Sequence, residues 1–202
     1  IGLSRGKTDY KHKCYKHLEC DIADESLVVQ AVKKANMLLG EIHILINNAG
    51  IASLNHSLLT PKDTLNKVFE TNFNGSFFMS RECAKYMSRN KFGRIVNFTT
   101  IAVPMNLEGE MIYASSKAAV EKMTKIMSKE LSQFGITVNA IGPTPIETDL
   151  IRVVPKDKID KILKEQSIKR YGEYQDIFNV MDFYISRSSS FITGQIIYLG
   201  GL

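Results

Sequence analysis

The apolar run I-H-I-L-I at 42–46, closed at once by N-N-A-G at 47–50, constrains the fold more than any other stretch. A nearly unbroken apolar run of this length reads as a strand buried on both faces, the pattern of parallel sheets. Further strands are read at 1–4, at about 15–20, and at 93–99, 136–141 and 195–199, closing on polar residues or glycine. Helical spacing fills the gaps. Asp24 is a good N-cap for a helix with apolar Leu27, Val28, Ala31, Val32, Ala35 and Leu38, stopped by Gly40. Pro61 suits the first turn of a helix over about 61–90, continuous or in two pieces around Asn72. A helix through Tyr113 runs to about 131, a short amphipathic one carries Ile159, Ile162 and Leu163, and another spans about 175–186. Strands alternating with helices throughout predict an α/β fold, a doubly wound parallel sheet with right-handed crossovers. With 202 residues, 44% apolar and 23% charged, residues 1–202 read as one domain.

No apolar stretch is long enough for a membrane span, and the first residues lack a signal-peptide pattern, so the reading is cytoplasmic with no membrane partner. Cys14, Cys20 and Cys83 form no C-x-x-C and read as reduced thiols. His12, Cys14, His17 and Cys20 fall across a strand whose side chains alternate faces, so no metal site is expected. The net charge of +5 and pI near 9.0 gather at 7–17 and 156–170, which suits phosphate-bearing cofactors and acidic partners. No nucleic-acid-binding motif accompanies that charge, and none is expected to bind.

In open α/β sheets ligands bind beyond the carboxyl ends of the strands. Those ends carry Ser4-Arg5, Asp21, Asn47 to Gly50, Thr99-Thr100 and Gly142-Pro143. Singly, Asp21 is also a plausible turn residue and Asn47 to Gly50 a tight turn; together they line one crevice. Tyr113 and Lys117 stand four apart and project from one helix face. An ammonium beside a phenol favours the phenolate, so Tyr113 is expected to titrate below its ordinary range and to exchange protons near neutrality.

These residues resemble the short-chain dehydrogenase/reductase family, specifically enzymes that reduce 3-oxoacyl groups on acyl carrier protein. The matches are C-D-I-A-D at 20–24, N-N-A-G at 47–50, T-N-F-N-G at 71–75, G-R-I-V-N at 93–97 and Y-A-S-S-K at 113–117. They continue with G-I-T-V-N-A-I-G-P at 135–143, I-E-T-D at 146–149 and F-I-T-G-Q at 191–195. The resemblance implies a Rossmann-like sheet and a hydride-transfer reaction that turns a ketone into a secondary alcohol. Tyr113 would be the proton donor, Lys117 its support and a ribose ligand, Thr100 the carbonyl-binding hydroxyl, and Asn72 the holder of a relay water. Cofactor contacts would come from Asp21 and Ile22 at the adenine, Asn48, Ala49 and Gly50 along the ribose, and Pro143, Ile146 and Thr148 near the nicotinamide. Arg5, where an acidic residue would bind the NAD ribose, implies NADP, with NAD less favoured. The substrate would be a small-molecule or acyl-carrier-bound carbonyl compound, and helices at about 64–90 and 114–132 would build a homo-oligomer, a dimer or tetramer.

Three departures accompany the match. The family's first strand and its T-G-x-x-x-G-x-G turn are not found, so about thirty residues are expected to precede Ile1 in a parent chain, and the strand they form would sit in mid-sheet. Thr100 stands where serine is usual, and Thr144 stands where glycine is usual, which would reroute that loop if the backbone there demanded glycine. Two other readings remain: a catalytically impaired partner or binding subunit, and a sugar or small-alcohol dehydrogenase.

Overall fold

The computed structural model describes residues 1–148, 151–152 and 154–201. The apolar runs form β1 (Gly2–Ser4), β2 (His17–Glu19), β3 (Ile44–Asn47), β4 (Gly93–Phe98), β5 (Ile136–Gly142) and β6 (Ile196–Tyr198). Strands β3-β4-β5-β6 make one parallel sheet in that order, and β1-β2 make a second parallel pair. β1 and β3 do not pair with each other, so each presents one ladder edge without a strand partner among the described residues.

Alternation along the strands sends neighbouring side chains to opposite faces. Leu45, Ile95 and Val138 join α1 (Glu25–Leu39), α3 (Ser76–Asn90) and α5 (Met111–Leu131) in one core cluster. Ile46, Val96 and Ile141 belong to the other, packed against α7 (Tyr174–Ile185) through Tyr184. Helices therefore cover both faces. That is the doubly wound arrangement, and it explains why β4 and β5 are buried along nearly their whole length, polar Arg94, Asn97, Thr137 and Asn139 included.

The Asp24 cap forms as expected, its carboxylate accepting from the backbone N–H groups of Ser26 at 2.8 Å and Leu27 at 3.1 Å. Replacing such a cap by alanine costs about 1 kcal/mol. Val28, Ala31, Val32 and Ala35 are buried, whereas Leu27 and Leu38, expected on the same face, are 40% and 50% exposed at the margins of the stripe. Gly40 ends the helix at φ 79°, a value only glycine adopts easily.

Two local features bear on the site. The crossover from β1 to β2, residues 5–16, contains no helix. Its lysine-rich sequence lacks the apolar stripe that would hold one against the sheet. The long helix at 61–90 is α2 (Lys62–Phe69) and α3 joined by a π-helical turn, Glu70–Gly75. Asn72 lies in that turn, so the break falls where the sequence left room for it.

Candidate active site

The paired registers align the strand ends. Asn47 stands opposite Asn97, Phe98 opposite Ile141 and Gly142 opposite Tyr198, so the loops after β3, β4 and β5 open on one edge. There they bound a cleft of about 440 Å³, and α6 (Lys156–Glu165) closes over it with Ile159 and Ile162. Of the residues singled out in the sequence, Asn48, Gly50, Thr100, Tyr113, Lys117, Pro143, Ile146 and Thr148 line it. Asn72 lies just behind. Arg5, Asp21, Ile22 and Ala49 are not in its lining. Arg5 is exposed, Asp21 accepts from the Ala23 backbone N–H at 3.0 Å as a turn residue does, and Ile22 packs on Gly75. Asp149 of the I-E-T-D match lies outside the described residues.

Helix α5 brings Tyr113 and Lys117 to the cleft together, as their spacing requires. The Lys117 ammonium is 4% exposed and donates to the Phe98 carbonyl oxygen at 2.9 Å. Burial holds its pKa down at about 8. The Thr100 hydroxyl is near enough to the Tyr113 phenol to act on its titration. The Tyr113 pKa is not lowered, as the sequence led us to expect, but pushed up to about 12. Burial is the largest cause, outweighing the Thr100 hydroxyl, and the Glu110 carboxylate adds to the rise. Desolvation wins because it acts on the whole phenolate.

Asn72 is fully buried and spends its amide on three partners. It accepts from the Ile51 backbone N–H at 2.8 Å and donates to the Ile51 carbonyl at 2.9 Å and to Ser116 Oγ at 2.9 Å. Ser116 in turn donates to the Tyr113 carbonyl at 2.7 Å. Asn72 thereby ties the loop after β3 to the helix that carries Tyr113 and Lys117. Gly50 lies against them: a Cβ built there would sit 3.2 Å from both Asn72 Oδ1 and Lys117 Nζ.

Thr144 is buried without positive φ, and its hydroxyl bonds Gln166. The backbone at this position therefore does not demand glycine. Sequence reasoning passed over Glu110, three residues before Tyr113, and Glu121, four after Lys117. Glu121 Oε1 accepts from Thr99 Oγ1 at 2.5 Å and Tyr198 Oη at 2.6 Å, clasping β4 and β6 to α5. The available signal was an acidic residue on each side of the Tyr-Lys pair, Glu110 just before the helix and Glu121 within it.

Lys117 has three N–H donors, and among the described residues only the Phe98 oxygen receives one. A buried ammonium with donors left over, facing a cleft beside Gly50 and Asn48, suits the hydroxyls of a ribose. The nicotinamide end of a dinucleotide thus fits the residues present.

The model of the family described as enoyl-(acyl carrier protein) reductase matches residues 5–201. The 3-oxoacyl-[acyl-carrier-protein] reductase FabG of Staphylococcus epidermidis is 33% identical over 184 residues, 91% of this chain and 75% of its own. Among solved structures, ElxO with NADP bound superposes with a TM-score of 0.84 at 27% identity, over 91% of this chain and 76% of that one. A protein of Agrobacterium tumefaciens assigned as a gluconate dehydrogenase gives 0.87 at 27% identity, over 92% and 74%.

Proposed function

The chain belongs to the short-chain dehydrogenase/reductase family, and on that footing we propose that it reduces a ketone, a 3-oxoacyl thioester or a close relative, to a secondary alcohol using NADPH. The observation that carries this reading is Tyr113, 9% exposed, lining one cleft with Thr100 and Lys117. NADPH, when bound, supplies the hydride.

The chain's own residues do the rest. Thr100 and Tyr113 present two hydroxyls to one carbonyl oxygen, and the Tyr113 proton moves to that oxygen as it gains charge. A phenol kept protonated by burial is a competent donor, since it holds its proton until an alkoxide-like oxygen develops beside it. Lys117 would hold the ribose and, as an ammonium, stabilise the tyrosinate left behind. Asn48, Gly50, Pro143, Ile146 and Thr148 would position the nicotinamide end. Arg5, Asp21, Ile22 and Ala49 would meet the adenosine half beyond the cleft, with Arg5 answering a 2′-phosphate and so favouring NADP over NAD.

A sugar or small-alcohol substrate is the second reading, favoured by the likeness to the Agrobacterium tumefaciens protein. The test is Tyr113→Phe, assayed by NADPH oxidation with an acetoacetyl thioester. The rate should fall about a hundredfold or more, the loss expected when a general acid is removed, while NADPH binding stays nearly unchanged. An unchanged rate would remove Tyr113 from the chemistry and the reductase reading with it.

A further inference from the structure

Glu110 is the residue of the cleft that the reaction does not use. It stands immediately before α5, with its backbone fixed on both sides: its N–H donates to the Leu107 carbonyl at 3.2 Å and its own carbonyl accepts from Ala114 at 2.7 Å. Its side chain lines the cleft. Among the described residues the carboxylate has no hydrogen bond or ion pair, although Lys158 of α6 is near enough to act on it electrostatically. The Lys158 ammonium instead donates to the Glu108 carbonyl at 3.3 Å. Burial raises the Glu110 carboxyl pKa, and its charge is felt at the Tyr113 phenol.

The rest of the lining is largely apolar, including Ala52, Ile101, Leu107, Ile151, Val154 and Ile177. Among the described residues, Glu110 and Lys117 are the only charged residues in it. With Lys117 turned to the Phe98 carbonyl and assigned to the ribose, the charge that this lining presents to an incoming substrate without an ion-pair partner is negative. Low-dielectric walls strengthen the interaction of that charge with anything bound beside it.

We infer that Glu110 selects substrates by charge, admitting carbonyl compounds whose neighbouring carboxyl is masked as an ester or thioester and turning away those in which it is a free carboxylate. The inference rests on the reductase reading and narrows it: free keto acids and sugar acids are poor substrates, esters and thioesters good ones. Selection here works by penalising the wrong compound rather than by gripping the right one.

The experiment compares ethyl acetoacetate with acetoacetate, which differ in charge at the same carbonyl, on the full chain at neutral pH. The wild type should favour the ester in kcat/KM by about tenfold or more, and Glu110→Gln should shrink that preference about tenfold, chiefly through better use of the acid. Equal preference in wild type and variant would overturn the inference. Calorimetric binding of ethyl 3-hydroxybutyrate and 3-hydroxybutyrate needs no turnover and separates the two readings. If neither ketone is reduced, the reductase reading fails, and the calorimetry still decides the role of Glu110. Ester-selective binding that Glu110→Gln abolishes upholds charge selection; undiminished selectivity, or no binding of either compound to the wild type, overturns it. Glu110→Ala carries the same comparison if the glutamine variant folds poorly.

Discussion

The Lys117 ammonium rests on the Phe98 carbonyl oxygen at 2.9 Å, so the cation of the active site is anchored to the end of β4. Its pKa, held down at about 8 from 10.5 by burial, makes stability depend on pH. Between those values the unfolded chain binds more protons than the folded one, so stability rises with pH, and the full penalty of the buried ammonium is present below pH 8. The buried Cys20 and Cys83 thiols and Tyr113 act in the opposite sense as the pH approaches and passes their unfolded values of 9.0 and 10.0. Relative to Lys117→Met, in which those groups titrate alike, the wild type should therefore gain about 1 kcal/mol between pH 8 and 9. Urea unfolding of both proteins at the two pH values checks this, and a matching slope in the variant would refute the assignment.

The Thr100 hydroxyl shares the cleft lining with Tyr113 and accepts from the Ala102 backbone N–H at 3.2 Å. Thr100→Ala should lower kcat/KM by about ten- to a hundredfold, in the range for loss of one donor to a developing oxyanion. Thr100→Ser should stay within a few-fold of the wild type. Equal losses in both variants would assign the effect to packing of the methyl group.

Asn72→Ala removes three hydrogen bonds and leaves the Ile51 N–H and carbonyl without their partner. Stranding partly buried polar groups in this way costs about 2–3 kcal/mol. Chemical denaturation measures it directly, and a loss below about 1 kcal/mol would mean that solvent replaces the side chain.

Gly50→Ala separates geometry from stability. The new methyl would stand 3.2 Å from Asn72 Oδ1 and Lys117 Nζ, so both must give by a few tenths of an ångström. Stability should change by less than about 1 kcal/mol, while kcat falls about tenfold because a small displacement of a positioned group is amplified in rate. A large drop in stability with kcat intact would contradict this.

The facing edges of β1 and β3 lack a strand partner among the described residues. An added N-terminal strand followed by a glycine-rich turn should pair there and place backbone N–H groups for a pyrophosphate. Adding such a segment to residues 1–202 should raise both the midpoint of thermal unfolding and the affinity for NADPH. No change in either would mean that this edge does not take a strand.

The sheet was legible in the sequence because its strands are buried on both faces and are therefore mainly apolar, with Asn97 and Asn139 hydrogen-bonded inside. Val138, Ala140 and Ile141 are completely buried, and the apolar run simply reports that. Helix α1 was legible through Asp24 and Gly40, which act over only a few residues. The Tyr113–Lys117 pairing followed from the pitch of one helix. The direction of the Tyr113 pKa did not, because it depends on how much water the folded chain removes, a property of the whole cleft rather than of a neighbour four residues away. Glu121 escaped for a related reason: its partners Thr99 and Tyr198 lie 22 and 77 positions off in sequence. No local spacing encodes such a clasp. The helix-free crossover at 5–16 was hidden by an overall alternation that holds nearly everywhere else.

The π-helical turn at Glu70–Gly75 holds one residue more than a regular helix would need to cover the same rise. That surplus rotates everything after Phe69 by roughly the 100° that one residue contributes. Asn72 can face Ile51 and Ser116 only while the surplus persists. Deleting any one residue within the turn would restore an unbroken hydrogen-bond ladder from α2 to α3 and swing Asn72 out of its place. The chain can have the smoother helix or the tether between the loop and the helix that carries Tyr113 and Lys117, and its sequence retains the tether.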